Sequence, residues 1–242
     1  MDSGEWFESW FDEDYLRLYA HRDGTEAEVA VETALRVAPE LASGPVLDLA
    51  CGSGRHLTAL RRRNPDAFGL DLSPTLLAQA DPALRPWLLR GDMRRIPVRA
   101  NALAAICMWF TPFGYFDDET NRALLMEVSA RLRPGGVLWM DYLNPAALRA
   151  SLVERESIER NGMRADIVRA FEGNRLVKRI RIFRPEEAPR EAEENVRLYE
   201  PEEIAALAGE WGLRLREEIG SYAGAPFDTA SPRWIGVFVK AG

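Results

Sequence analysis

Three aspartates and a pair of glycines are the residues whose types and spacing suggest chemistry. Residues 46–56 read Val-Leu-Asp-Leu-Ala-Cys-Gly-Ser-Gly-Arg-His. Val46, Leu47 and Leu49, following the breaker pair Gly44-Pro45, predict a short buried strand. The strand runs through Gly52-Ser53-Gly54 into a helical stretch from Arg55 to Arg63. A strand, a glycine turn and a helix in that order let backbone approach a ligand at a helix N-terminus. Asp71, 19 residues past Gly52, ends a second strand, where a carboxylate can bind both hydroxyls of a ribose. Leu88-Leu89-Arg90-Gly91 leads to Asp92, so Asp48, Asp71 and Asp92 close three successive strands of an α/β sheet.

Other nucleotide loops fit less well. A dinucleotide fingerprint needs glycine or alanine at position 57, where Leu57 stands, and no Gly-Lys-Ser/Thr marks a phosphate loop. Asp48-Leu49-Ala50-Cys51-Gly52-Ser53-Gly54 resembles the acidic-x-Gly-x-Gly-x-Gly motif of the class I S-adenosylmethionine-dependent methyltransferases, with Ala50 in place of the first glycine. Leu132-Arg133-Pro134-Gly135-Gly136 matches that family's Leu-x-Pro-Gly-Gly turn, whose role is architectural. The resemblance covers roughly residues 10–145 and the C-terminal strands. It is to the small-molecule members, such as glycine N-methyltransferase and the aminosugar N,N-dimethyltransferases.

The resemblance implies S-adenosylmethionine as cofactor and S-adenosylhomocysteine as product. By it, Ala50, Cys51, Gly52 and Gly54 join Asp48 as cofactor-binding residues, and Asp71 and Leu72 take the ribose side. Asp92 would meet the adenine amine and Met93 cover the ring, although Asp92 could instead cap a turn. Trp109 and Phe110 would flank the cofactor. The loop after the fourth strand would face the methyl group, with Tyr115 orienting the nucleophile; Phe110 and Phe113 could equally be core. Arg22 would fork to the methionyl carboxylate with Tyr19 in support. His21 is either structural or a general base. Asn144, Tyr199 and Tyr222 are candidate substrate contacts, the two tyrosines being open to ordinary packing as well.

The elements that must position these groups follow from the rest of the pattern. Trp6, Trp10, Phe11, Tyr15, Leu18 and Tyr19 recur at helical steps over residues 5–20, as one helix or two, forming a cap or a cofactor lid. A second helix spans 25–38. Ser73-Pro74 opens another, with serine as cap and proline at its first position. Residues 102–110 form a fourth strand, Asp117-Asp118-Glu119 starts a helix, and Val137–Tyr142 a fifth strand. Between 154 and 194 lie ten basic and ten acidic residues, and Gly173-Asn174 between alternating runs predicts a hairpin. A helix after Pro201 and strands at 213–219 and 234–240 complete the chain. The predicted fold is α/β: a Rossmann-like, doubly wound, mostly parallel seven-stranded sheet with a helical cap and an inserted antiparallel appendage. As a single domain it divides into a cap (1–40), a cofactor core (41–146), an insertion for lid, dimer or substrate contacts (147–198) and the last helix and strands (199–242).

Composition limits the function. A hydrophobic fraction of 47% with 29% charged residues suits one globular enzyme domain. The apolar run 102–110 is too short to span a bilayer, and the acidic N-terminus lacks a signal pattern. Two cysteines, Cys51 and Cys107, form no disulfide framework, which fits a reducing cytoplasm. A net charge of −7 argues against nucleic acid. Two histidines and two cysteines at unrelated spacings match no metal-ligand set. The expected reaction is in-line methyl transfer to a small acceptor without metal, nitrogen ahead of oxygen, because a neutral amine needs little activation. The rival readings are a protein or RNA methyltransferase and a binding protein that holds the cofactor or its product without catalysis. A homodimer through 147–198 is a further expectation.

Overall fold

A computed structural model describes residues 5–20 and 24–242. Its centre is a seven-stranded sheet in the order β10-β11-β5-β4-β1-β2-β3. The strands are β1 (Val46–Leu49), β2 (Ala67–Asp71), β3 (Leu88–Arg90), β4 (Leu103–Met108), β5 (Leu132–Leu143), β10 (Leu213–Ile219) and β11 (Arg233–Lys240). β1 to β5 pair in parallel, while β11 runs antiparallel to both β5 and β10. Every residue of β1 and β4 is buried, as a parallel strand covered on both faces requires. Val46, Cys107, Val137 and Trp139 face one apolar cluster and Leu47, Met108, Leu138 and Met140 the other. The order in which strands are added reverses between β1 and β4, and ligands of open α/β sheets bind at such a switch point.

Helices flank this sheet: α3 (Gly24–Val37), α4 (Arg55–Arg61), α5 (Pro74–Ala78), α6 (Asp118–Arg131), α7 (Pro145–Ser151) and α8 (Pro201–Gly209). Their caps follow local chemistry. Ser73 Oγ accepts from the Leu76 N–H at 3.1 Å with Pro74 at the first helical position, and Asp117 caps α6 through the Thr120 N–H at 2.7 Å.

The insertion is a separate four-stranded antiparallel sheet, β6 (Arg155–Arg160), β7 (Met163–Glu172), β8 (Arg175–Phe183) and β9 (Arg190–Arg197). The predicted hairpin turns at Gly173-Asn174, between β7 and β8. Two short N-terminal helices, α1 (Trp6–Trp10) and α2 (Glu13–Leu18), lie between the two sheets. Trp10 and Leu18 pack on Met163, Ile167 and Ile180 of the insertion, while Phe7 joins the main core. On the main-sheet side Ser73 Oγ donates to the Phe11 carbonyl at 2.5 Å. On the other side the buried Asp14 meets Arg184 and, at 2.6 Å, Arg190.

Some boundaries differ from those predicted. β3 stops at Arg90, the last residue paired with β2, so Asp92 lies in a loop two residues beyond the strand. β4 stops at Met108 because Phe110 and Thr111 both take left-handed backbone (φ 61° and 66°), which leaves Trp109 and Phe110 outside the ladder. Leu132–Gly136 is no free-standing turn; Leu132 pairs with Leu103, and the ladder re-registers across the left-handed Gly135.

Burial pushes the Asp14 carboxyl up, but hydrogen bonds and charge from Arg184 and Arg190 more than reverse it, so its pKa lies below the usual value. A depressed carboxylate stabilises the fold above its unfolded pKa and loses that contribution as pH falls through the folded one. Asp14→Ala is therefore expected to cost about 1–3 kcal/mol in urea unfolding at pH 7. The difference from the parent protein should shrink in acid below the carboxylate range.

Candidate active site

The turn after β1 is tightly wound. Ala50, Gly52 and Gly54 all have positive φ (61°, 56° and 78°), and the Gly54 N–H returns to the Cys51 carbonyl at 2.9 Å. A left-handed alanine costs roughly 1 kcal/mol relative to glycine, so Ala50 occupies the position where glycine would be easiest. Gly54 caps α4, and a Cβ there would lie 2.8 Å from Leu84 Cδ1. Asp71 fastens this turn to the neighbouring strand. Its Oδ2 accepts from the Gly52 N–H at 2.7 Å and its Oδ1 from the Ser73 N–H at 2.8 Å.

A cavity of about 200 Å³ opens above the turn, lined by Asp48, Ala50, Cys51, Gly52 and Asp71 on one side. Tyr15, Tyr19, Trp109, Phe110 and Tyr115 line the other. Asp48 is 1% exposed, and among the described residues its Oδ2 has no hydrogen-bond partner. Burial, and then the nearby Asp71 charge, push its pKa up to about 8. Asp71 is also raised by burial, against which its backbone hydrogen bonds work. Two neighbouring buried carboxylates, one with an oxygen that has no hydrogen-bond partner among the described residues, suit a ligand that supplies donors or positive charge.

A smaller cavity of about 50 Å³ continues past Asp71 to Leu72, Asp92 and Met93 under Phe7 and Phe11. A third, of about 250 Å³, lies beyond Phe110 and Tyr115 and is walled by Leu143, Leu176 and Val196 with Arg169, Lys178 and Glu194. Phe11 and Tyr115 line all three. The Tyr115 ring sits 4.8 Å from that of Trp6 and 5.9 Å from Phe11.

The wall between the first and third cavities is braced from behind. The Phe110 N–H donates to Asp141 Oδ2 at 2.6 Å, and the Thr111 N–H to the Asp141 carbonyl at 3.0 Å. Arg233 pairs with the fully buried Asp141, donates to Thr111 Oγ1 at 2.6 Å and lies 4.8 Å from the Phe110 ring centre. The Tyr222 hydroxyl also bonds Asp141. The left-handed pair at Phe110 and Thr111 is therefore held by a buried ion pair and its hydrogen bonds.

The sequence-predicted residues separate into groups. Tyr19, Asp48, Ala50, Cys51, Gly52, Asp71, Trp109, Phe110 and Tyr115 meet at the 200 Å³ cavity, and Leu72, Asp92 and Met93 at the 50 Å³ one. Phe113 is fully buried core. His21 and Arg22 lie outside the described residues. Asp92 also behaves as the turn cap: its Oδ1 accepts from the Arg94 N–H at 2.8 Å and its Oδ2 from the Arg94 guanidinium at 2.6 Å.

Three substrate candidates lie elsewhere. Asn144 is buried as the cap of α7, its amide donating to the carbonyls of Asp228, Thr229 and Ser231. The Tyr199 hydroxyl donates to Asp118 Oδ1 at 2.7 Å and its ring packs on Phe113. Tyr222 acts through Asp141, behind the wall. None of the three lines the cavities described above.

His56 was not singled out by sequence. It lines the first cavity, stacks on Trp109 (4.7 Å, 5°), and is held neutral because burial, then Arg55 and Arg233, push its pKa down to about 3. Its place two residues after Gly54, in the first turn of α4, was the available signal.

Residues 46–136 match a family model described as a methyltransferase domain. The chain is 32% identical over 127 residues to dTDP-3-amino-3,4,6-trideoxy-alpha-D-glucopyranose N,N-dimethyltransferase of Streptomyces venezuelae, covering 51% of this chain and 52% of that protein. It is 34% identical over 111 residues to malonyl-[acyl-carrier protein] O-methyltransferase of Dechloromonas aromatica, covering 45% and 40%. The matched segment thus spans about half, or less, of the length of these curated relatives. Among solved structures, an S-adenosylmethionine-dependent methyltransferase from Clostridium acetobutylicum superposes with a TM-score of 0.79 at 17% identity, over 95% of this chain and 97% of that one. CalS10, an amino pentose methyltransferase from Micromonospora echinaspora, gives 0.68 at 23% identity over 95% and 97%. Residues 46–136 thus match a methyltransferase domain model, and the chain as a whole has the Rossmann-like fold of these solved S-adenosylmethionine-dependent methyltransferase structures.

Proposed function

We propose that the protein transfers a methyl group from S-adenosylmethionine to a small-molecule acceptor, with an amine nitrogen preferred over oxygen. The observation that carries this reading is the buried, unpartnered Asp48 Oδ2 beside the left-handed turn and the doubly held Asp71. These groups fit the cofactor. Asp71 would bind the ribose hydroxyls, Asp92 and Met93 the adenine, Asp48 the positively charged part, and Tyr19 with Arg22 the methionyl carboxylate. The cofactor, when bound, supplies a methyl group on an electrophilic sulfonium. The chain supplies alignment and exclusion of water: Phe110 and Trp109 form the wall, and Tyr115 stands where the three cavities meet.

Nitrogen is favoured because the similar proteins include an N,N-dimethyltransferase and an amino pentose methyltransferase, although an O-methyltransferase is among them too. The cavity beyond Phe110 and Tyr115 supports an acceptor site over a binding-only role, and the −7 charge speaks against RNA. The N-terminal helices cover one face of the insertion, which supports a lid. A protomer contact would have to use its outer face, where Arg179 pairs with Glu172 and Glu193. The cytoplasm remains the proposed compartment, on the two free cysteines.

The test of the activity is methyl transfer from labelled cofactor into pooled metabolites, followed by product mass. Cofactor bound with no acceptor methylated would leave the binding-protein reading instead. Asp71→Ala should weaken S-adenosylhomocysteine binding about 10- to 100-fold by calorimetry, and unchanged affinity would remove the ribose assignment.

Asp48 gives a second handle. Its folded pKa, about 8, lies above the ordinary value, so native protein keeps a proton that the unfolded chain releases. Stability then falls as pH rises from about 4 to about 8. Asp48→Asn should abolish that slope, making the empty protein more stable than the parent by about 2–4 kcal/mol at pH 8 and little changed at pH 4, in urea unfolding. The same variant should bind S-adenosylhomocysteine at least about tenfold more weakly.

A further inference from the structure

The inner face of the insertion is apolar at its centre, with Glu156, Arg160 and Arg190 toward its edges and one charged cross-strand row through it. Ile167, Ile180 and Ala192 face one another across β7, β8 and β9, and so do Phe171, Leu176 and Val196. Between these rows lies Arg169–Lys178–Glu194, in the same register. Arg169 and Lys178 are directly opposed like charges, an arrangement that destabilises a sheet. Both are largely shielded, with side chains 20% and 12% exposed, and both line the 250 Å³ cavity.

Each cation is drawn outward. Arg169 pairs with Glu156 at 2.6 Å and donates to the Val153 carbonyl at 3.1 Å. Lys178 meets the Tyr19 hydroxyl and lies 3.4 Å from Glu194. Glu194 is itself fixed by the Trp10 indole at 2.9 Å and the Tyr19 hydroxyl at 3.0 Å. The order across the face is therefore negative, positive, positive, negative, and both cations line the cavity. One lysine would neutralise Glu194. Arg169 likewise neutralises Glu156, yet the register still sets the two cations directly opposite each other at the cavity.

We propose that the methyl acceptor carries an anionic oxygen group, a carboxylate or a phosphate, that seats between Arg169 and Lys178. An anion there removes the repulsion of the row and takes charge-assisted hydrogen bonds from both sides. The apolar neighbours Leu176, Val196 and Leu143 pack the rest of the acceptor, whose nucleophile then lies toward Phe110 and Tyr115. This inference rests on the methyltransferase reading, because it takes the third cavity to be the acceptor site.

The test is calorimetric titration with malonate and with inorganic phosphate, at ionic strength held constant with chloride, with and without saturating S-adenosylhomocysteine. Saturable binding of at least one anion is expected, weakened about tenfold or more in Arg169→Gln and in Lys178→Met. Arg179→Gln, on the outer face, should bind as the parent does. Malonate binding alone assigns a carboxylate and phosphate binding alone a phosphate. Absence of saturable binding of either anion, or variants that bind like the parent, overturns the proposal. S-adenosylhomocysteine affinity, which Arg169→Gln should keep within about twofold, is the separate readout. Its absence in the parent protein would sink the methyltransferase reading, whereas its presence without anion binding sinks only this one.

Discussion

Two buried carboxylates at adjacent strand ends set the terms for the rest of the molecule. Asp71 accepts backbone hydrogen bonds at both oxygens, whereas Asp48 keeps one oxygen without a partner among the described residues and cannot be fully charged so close to its neighbour without cost. The sheet keeps both there because β1 and β2 pair in parallel, with Asp48 opposite Gly69 and Asp71 one residue past the Leu49–Leu70 pair. That pairing in turn requires a chain reversal at Ala50–Gly54 tight enough to need left-handed backbone. An arrangement that penalises the empty protein is useful only if something else completes it.

The opposite wall follows the same logic. Phe110 and Thr111 hold unfavourable backbone angles because Asp141 at the end of β5 takes the Phe110 N–H, and Arg233 on β11 neutralises Asp141. A buried ion pair contributes little net stability after desolvation, but here it fixes one geometry. The antiparallel β11 thus does more than close the sheet. It brings a guanidinium to the point where the two larger cavities meet.

Much of this was legible in the chain. The strand, glycine turn and helix at 46–61 needed only local pattern, and so did Ser73-Pro74 and the hairpin at Gly173-Asn174. Side-chain roles that depend on tertiary closure were not. Asn144 read as a substrate amide because nothing local reveals that the carbonyls of 228–231 return to it. Tyr199 and Tyr222 are amphipathic, and pattern alone cannot tell a hydroxyl facing a cavity from one bonded to an aspartate elsewhere in the fold. An apolar run does not say where pairing stops, so the sequence puts Asp92 at a strand end that lies two residues earlier in the structure. The Arg169–Lys178–Glu194 row could not be seen at all without the register of three strands, since the residues are far apart in a stretch of mixed charge.

The N-terminal helices touch both halves of the molecule, but unequally. Toward the main sheet α1 and α2 are tied through aromatic contacts and the hydrogen bond from Ser73 to Phe11. Toward the insertion they have their own apolar cluster, the Asp14 ion pairs and the Trp10–Glu194 bond. Mechanically the pair is a liner glued to the insertion and leaning on the main sheet. A displacement wide enough to bare Asp71 would carry liner and insertion away together, and with them one wall of the 250 Å³ cavity.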